Sequence, residues 1–204
     1  MKPSLNLILC VIIACFNASC SKSDNERCPE EELYQHVMEI SNSYRDILPE
    51  LSLESDVETK CENEGEAGWV VFSELPKDIQ ALFLSYFSPS DFNTWDEMDF
   101  CVNLLACKSI SDTEKEATAH SLAACVALKS ILDDEVVTKG GHPESDCRSI
   151  YYSKVRQAMF RVIGLTFAGL AGGILGAEAA CAASLTQAVT DIQDAGVEYV
   201  RCWA

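Results

Sequence analysis

The chain has 204 residues, 48% of them apolar and 23% charged, which fits one folded domain of ordinary size and excludes wholesale disorder. Acidic side chains outnumber basic ones 32 to 15. We therefore expect no nucleic-acid partner, because phosphate contacts need a basic surface. Eleven cysteines are too many for routine cytosolic use and indicate an oxidising compartment.

The first 19 residues have the pattern of an export signal. Lys2 supplies a short positive region, and residues 5–16 supply an apolar stretch of about 12 residues. A stretch of this length is too short to span roughly 30 Å of hydrocarbon. We predict a signal peptide over residues 1–19 rather than a membrane helix.

Two cysteines follow possible cleavage sites of the lipoprotein type. Cys15 has the better aliphatic residue three positions before it, whereas Cys20 follows a fuller apolar segment and a small residue and precedes a polar run. Cleavage before Cys20, with lipid on its thiol, leaves eight further cysteines, the even number that a disulfide framework needs. Cleavage before Cys15 leaves nine, so we predict lipidation of Cys20 and keep Cys15 as the alternative site.

Residues 19–26, which read Ser-Cys-Ser-Lys-Ser-Asp-Asn-Glu, resemble the start of lipoproteins of Bacteroidota-type bacteria. In that family a lipidated cysteine is followed by serine, lysine and acidic residues. The acidic tether is similar to the signal that sends some of these proteins to the cell surface, although Ser23 interrupts the stricter form. The resemblance implies a polar tether at residues 20–28 and attachment in the cell envelope, at the outer membrane or the cell surface. The alternative is an ordinary secretory signal and a freely secreted protein.

The remaining residues, 29–204, are predicted to form a single helical domain. A helix over 29–47 begins with a proline and three acids and carries apolar residues at three- and four-residue spacing. Residues 50–67 are acidic with little periodicity and are predicted to be a solvated loop. Residues 69–72 suit a short strand or an extended segment, and a helix is expected over 73–87.

Two start signals follow in the middle of the chain. The run from Ser88 to Asp91 offers a cap residue, a proline and an acid, and predicts a helix to about Lys108. Ser111 and Glu114 fit a capping box that opens a helix to about residue 132. The side chains expected to be buried by the first of these helices are Phe92, Trp95, Met98, Val102 and Leu105.

The C-terminal part is predicted to be a helical hairpin rich in glycine and alanine. One helix is expected from Pro143 to about residue 165, and the last over 177–202. Residues 149–204 carry four acids and four bases, whereas residues 22–80 have a net charge of −11. We therefore expect this neutral quarter to lie at the centre of the fold.

Two overlapping G-x-x-x-G patterns, Gly169 to Gly173 and Gly172 to Gly176, lie in this hairpin. They suit either close helix packing in a core or a helix that inserts into a membrane. The uncharged stretch between Arg161 and Glu178 has 16 residues, fewer than the roughly 20 needed to span a bilayer. We therefore favour close helix packing in the core. We also expect a break in the helix near Gly172-Gly173, because glycine destabilises a helix.

The eight cysteines that follow Cys20 are predicted to pair in four disulfides, with the partners left open. Redox chemistry would favour Cys-x-x-Cys, which is missing from the mature sequence. A metal site at Cys101, Cys107, His120 and Cys125 is disfavoured, because neither neighbouring pair would share a helix face. The disulfide candidates are Cys28, Cys61, Cys101, Cys107, Cys125, Cys147, Cys181 and Cys202.

The sequence carries no H-E-x-x-H or G-x-S-x-G motif, and His36, His120 and His142 are scattered. We therefore predict no catalytic residue, metal or cofactor.

Together these features predict a mainly α, disulfide-stapled bundle of about five to six helices that ends in a Gly/Ala-rich hairpin. The predicted function is that of a cell-envelope lipoprotein with a binding or structural role, whose partner is the membrane through the lipid on Cys20. The ligand or protein partner is left open. The alternative is a secreted effector or bacteriocin-like protein whose Gly/Ala-rich helix inserts into a membrane, and a third hypothesis is a hydrolase without a known motif.

Overall fold

The computed structural model describes residues 28–48, 72–89, 92–132 and 145–202, and these are mainly helical, as predicted. Short 3₁₀ turns cover Phe92–Thr94 and Leu170–Gly172. The α-helices are α1 (Pro29–Arg45), α2 (Lys77–Tyr86), α3 (Glu97–Ala106), α4 (Asp112–Leu132), α5 (Ser145–Gly169) and α6 (Gly173–Arg201).

Helix α4 occupies the centre of the bundle. Every residue from 117 to 128 is buried, and this stretch contains no Asp, Glu, Lys or Arg. Its many alanines allow α1 and the two helices α5 and α6 to pack closely against it. The expectation that the C-terminal quarter forms the centre is therefore wrong: the hairpin packs on one side of α4.

The predicted capping box at the start of α4 is confirmed. The backbone N–H of Ser111 donates a hydrogen bond to Glu114 Oε2 at 2.7 Å. In return the backbone N–H of Glu114 donates to Ser111 Oγ at 3.3 Å. The two side chains thus satisfy two backbone donors that the first turn of a helix leaves without partners.

Helix α3 begins later than predicted. It starts at Glu97 rather than near Ser88, and the Asp96 carboxylate caps it by accepting a hydrogen bond from the Asp99 N–H at 2.9 Å. Phe92 lies in the preceding 3₁₀ turn. The acid-rich run from 96 to 99 was the stronger start signal, because it places carboxylates on free N–H groups.

The late start changes which side chains of α3 are buried. Phe92 and Trp95 are buried as predicted, but they precede the helix. Met98 and Val102 are 37% and 42% exposed, because the helix turns a different face inward. The residues of α3 that enter the core are Phe100, Cys101 and Leu104.

Aromatic rings join the first half of the chain to α5. The ring centroids of Phe87 and Phe160 are 5.3 Å apart, and those of Phe92 and Tyr152 are 4.3 Å apart, both pairs edge to face. Trp95 lies 4.8 Å from Phe87 in the same cluster. These contacts hold α2 and the 3₁₀ turn against the hairpin.

The hairpin is confirmed, including its break at the paired glycines. Gly173 has φ +77°, a conformation that glycine adopts without a steric penalty. A Cβ added to Gly169 would overlap the carbonyl oxygen of Gly176 and lie 2.6 Å from Ala180 Cβ. The small residues therefore allow α5 and α6 to touch backbone to backbone, as the core interpretation predicted. A disulfide between Cys147 and Cys202 joins the other ends of the two helices.

Replacing Gly169 by alanine should destabilise the fold by about 1–3 kcal/mol, because the added methyl group meets a backbone that must move. Gly172→Ala is the matched control: its φ is −90°, and nothing lies within 4 Å of the added atom. The control should be neutral or more stable by up to about 1 kcal/mol. Unfolding in urea measures the free energy of unfolding of both variants. Equal values for the two variants would contradict the close contact at Gly169.

Candidate functional site

The end of the hairpin presents an apolar surface to solvent. We call residues 165–177 the hairpin tip. Leu175 is 79% exposed, the highest value among the large exposed hydrophobic side chains of the described residues. Leu165 and Ala171 are also exposed, and Ile174 is half-buried. An exposed apolar surface of this kind is typical of a site that contacts a membrane or a protein.

The hairpin tip carries no charged side chain. The cation that precedes the tip most closely in the sequence, Arg161, donates a hydrogen bond to Asp191 Oδ2 at 2.7 Å, so its charge is paired within the hairpin. Glu178 marks the other limit of the uncharged stretch and is exposed. Contact with an apolar environment at the tip would therefore require no charge to be buried.

By length and composition, one helical stretch of the described residues, Cys147–Arg201, is apolar enough to cross a membrane. Its most apolar window is 44% buried inside the protein. Slightly less than half of this window thus belongs to the core.

The second candidate site is a cluster of polar side chains where α1, α4 and α6 meet. His36 Nε2 is 2.9 Å from Glu116 Oε1, and His120 Nε2 is 3.7 Å from the same oxygen. The other ring nitrogen of His120, Nδ1, shares a hydrogen bond of 2.8 Å with the Tyr44 hydroxyl. The structure thus brings His36 and His120 together, whereas His142 lies outside the described residues.

Burial shifts the pKa of two groups at this junction, His120 and Cys181. It lowers the pKa of His120, although the nearby Glu116 and Glu178 carboxylates oppose the shift. It also raises the pKa of Cys181, whose Sγ donates to the backbone carbonyl of His120 at 3.7 Å. The Cys181 contact is made to the backbone of His120 and not to its ring. The arrangement therefore ties three helices together and does not form an activated nucleophile with its base.

The cysteines differ from the predicted complete pairing. Cys147 and Cys202 form a disulfide, but Cys101, Cys107, Cys125 and Cys181 are thiols in the structure. Three of these are buried and pack as small apolar side chains. Burial raises the pKa of Cys101 to about 12, which suppresses the thiolate needed for disulfide exchange.

The remaining predicted cysteine sites lie at the beginning of the chain. Cys28 is the residue before the first turn of α1. Cys61 and the predicted lipidation site Cys20 lie outside the described residues, as does the alternative Cys15.

In the part of the chain that the structure describes, no group of three or more His, Cys, Asp or Glu side chains is arranged to hold a metal ion. The set weighed from the sequence, Cys101, Cys107, His120 and Cys125, does not form such a group.

Sequence reasoning missed the histidine cluster, whereas it had named the uncharged Gly/Ala-rich hairpin as a segment that could insert into a membrane. His36 and Glu116 are 80 positions apart, so no local pattern could have paired them. The sequence also predicts the exposed surface of the hairpin tip. Leucines lie on both sides of a glycine turn in an uncharged run, and a turn of this kind must expose some of these leucines.

Comparison with protein-family models, with curated proteins and with solved structures finds no match to this chain.

Alkylation of the urea-unfolded protein without reductant should label Cys101, Cys107, Cys125 and Cys181 and leave Cys147 and Cys202 unlabelled. Peptide mass mapping reads the result. In the folded protein Cys107 should react fastest of the four, because it is half-buried and the others are buried. If none of the four cysteines is labelled after unfolding, they are not free thiols, and the predicted complete pairing in disulfides would stand.

Proposed function

We propose that the chain is a lipoprotein of the cell envelope, tethered through Cys20, whose helical domain acts by binding and not by catalysis. The leader and the polar tether support export and attachment. The Cys147–Cys202 disulfide is consistent with this, because disulfides persist in oxidising compartments. The observation that carries the binding role is the exposed, uncharged hairpin tip.

The proposed contact of the hairpin tip is a lipid bilayer. Backbone groups that enter a bilayer must be hydrogen-bonded within the protein, and the helical backbone on both sides of the Gly172-Gly173 turn meets this condition. Close packing through small residues also suits lipid, because no hydrophobic force holds two helices together there. The contact between Gly169 and Gly176 supplies such packing.

The charges limit how deeply the tip enters. From Gly173 to Ala177 the helix rises about 6 Å at roughly 1.5 Å per residue. Glu178 follows, and a carboxylate in the hydrocarbon core costs about 2.5–3.5 kcal/mol. We therefore expect the tip to enter the interface between head groups and acyl chains and not to span the bilayer.

The predicted tether would keep the tip close to lipid. Cys28 lies eight positions after Cys20, and such a segment reaches at most about 30 Å. A domain held at this distance has a high effective concentration at the membrane, so a weak contact of the tip suffices. The net charge of −17 favours neutral over anionic lipid.

A freely secreted effector that inserts the same hairpin into a target membrane is the second candidate function. The apolar stretch Cys147–Arg201 favours it. The two functions differ in the fate of Cys20 and in the integrity of the bilayer. A lipoprotein keeps lipid on Cys20 and leaves vesicles sealed, whereas an effector begins with an unmodified residue and releases trapped dye.

The mature protein from bacterial cells should begin at Cys20 and carry acyl chains on it, as measured by mass spectrometry of the N-terminal peptide. Cys20→Ser should abolish the modification and move the protein from the membrane fraction to the soluble fraction or block its processing. Cys15→Ser should change neither result, which makes it the matched control. An unmodified N-terminus downstream of Cys20 would contradict the lipoprotein.

Leu175→Asp should weaken binding to neutral phosphatidylcholine vesicles roughly tenfold or more, because it places a charge at the most exposed apolar position of the tip. Flotation of the chain that begins at Ser21 isolates this contact from the leader and the lipid. Ile150→Asp is the matched control, since Ile150 is 53% exposed near the other end of the hairpin. Equal binding by both variants would contradict a bilayer contact at the tip.

A further inference from the structure

A groove separate from the hairpin tip opens between α2 and α3, with a volume of about 720 Å³. Its lining combines three carboxylates, from Asp78, Asp96 and Asp99, with apolar and aromatic side chains. We propose that this groove binds a cationic peptide segment of a partner protein, in which lysine or arginine alternates with apolar residues. The proposal is independent of the function assigned to the tip.

The carboxylates of the groove are held in place. Asp99 Oδ2 accepts a hydrogen bond from Asn103 Nδ2 at 3.0 Å, and Asp78 accepts one from the Ser109 hydroxyl. Asp96 is fixed by capping α3. An ionised carboxylate has about four acceptor positions, so each can still accept a hydrogen bond from an ammonium or guanidinium group. Such fixed acceptors lose little side-chain entropy on binding.

The floor of the groove suits the apolar part of such a peptide. Tyr86 and Phe100 are buried beneath it with their rings edge to face, 5.5 Å between centroids, and Leu82 is half-buried beside them. Lysine and arginine carry apolar stems that pack on surfaces of this kind while their charged ends reach the rim. The volume is within the range of established ligand sites and holds several side chains.

Charge decides between possible occupants. None of the described residues that line the groove is lysine, arginine or histidine. The two longest internal segments outside the described residues, 49–71 and 133–144, have net charges of −6 and −3, and a second copy of the chain has −17. The carboxylates would repel all three, whereas they would attract a cationic partner.

The test uses the full chain in detergent at physiological salt, where general attraction between distant charges is screened. The probe is a fluorescent peptide of lysine, arginine, leucine and alanine, and its binding is measured by anisotropy. The unaltered chain should bind it, and a peptide with glutamate at every lysine and arginine should not bind. Asp78→Asn together with Asp99→Asn should weaken binding at least tenfold.

Asp46→Asn together with Asp112→Asn is the matched control. Both residues are exposed and lie outside the groove, and the two substitutions remove the same charge as the pair in the groove. This variant should bind within twofold of the unaltered chain. Ser85→Arg, which adds bulk and positive charge at an exposed position of the groove wall, provides a second disruptive variant. Equal weakening in groove and control variants, or full binding by Ser85→Arg, would overturn the proposal, as would failure of the unaltered chain to bind.

Discussion

The direct contact between the backbones of α5 and α6 at Gly169 and Gly176 is the constraint on which the shape of the hairpin depends. A side chain at either position would separate the two helices at the tip, and Gly173 then turns the chain with a positive φ. The Cys147–Cys202 disulfide restrains the other ends. The hairpin is thus held at both ends, which allows it to expose an apolar tip without losing its packing.

The rest of the bundle is organised by α4, whose small side chains admit helices on several sides. Close packing of this kind leaves little room for unpaired polar groups, and the one histidine in the buried stretch is accordingly satisfied. His120 binds the Tyr44 hydroxyl of α1 through its ring, while its backbone carbonyl accepts from Cys181 of α6. A polar residue in the most buried helix therefore links three elements and contributes specificity to their arrangement.

Local chemistry predicted much of this fold from the sequence. The capping box at Ser111 and the helix break at Gly172-Gly173 depend on residues a few positions apart, and the structure confirms both. The predicted start of α3 was wrong because two capping patterns compete within ten residues, and the carboxylates at 96–99 supply the stronger one. The contact of His36 with Glu116 and the acidic groove arise from helix placement, which no local pattern encodes.

We propose different partners for different surfaces: lipid for the uncharged tip and a cationic peptide for the acidic groove. In the first of these proposals the tip enters a bilayer interface while the bundle stays folded. Hydrogen exchange of the chain with and without neutral vesicles tests this most directly. We expect slower exchange at the amides of 165–177 when vesicles are added and no change in α2 or α3. Unchanged exchange at the tip, or faster exchange throughout α4, would contradict it.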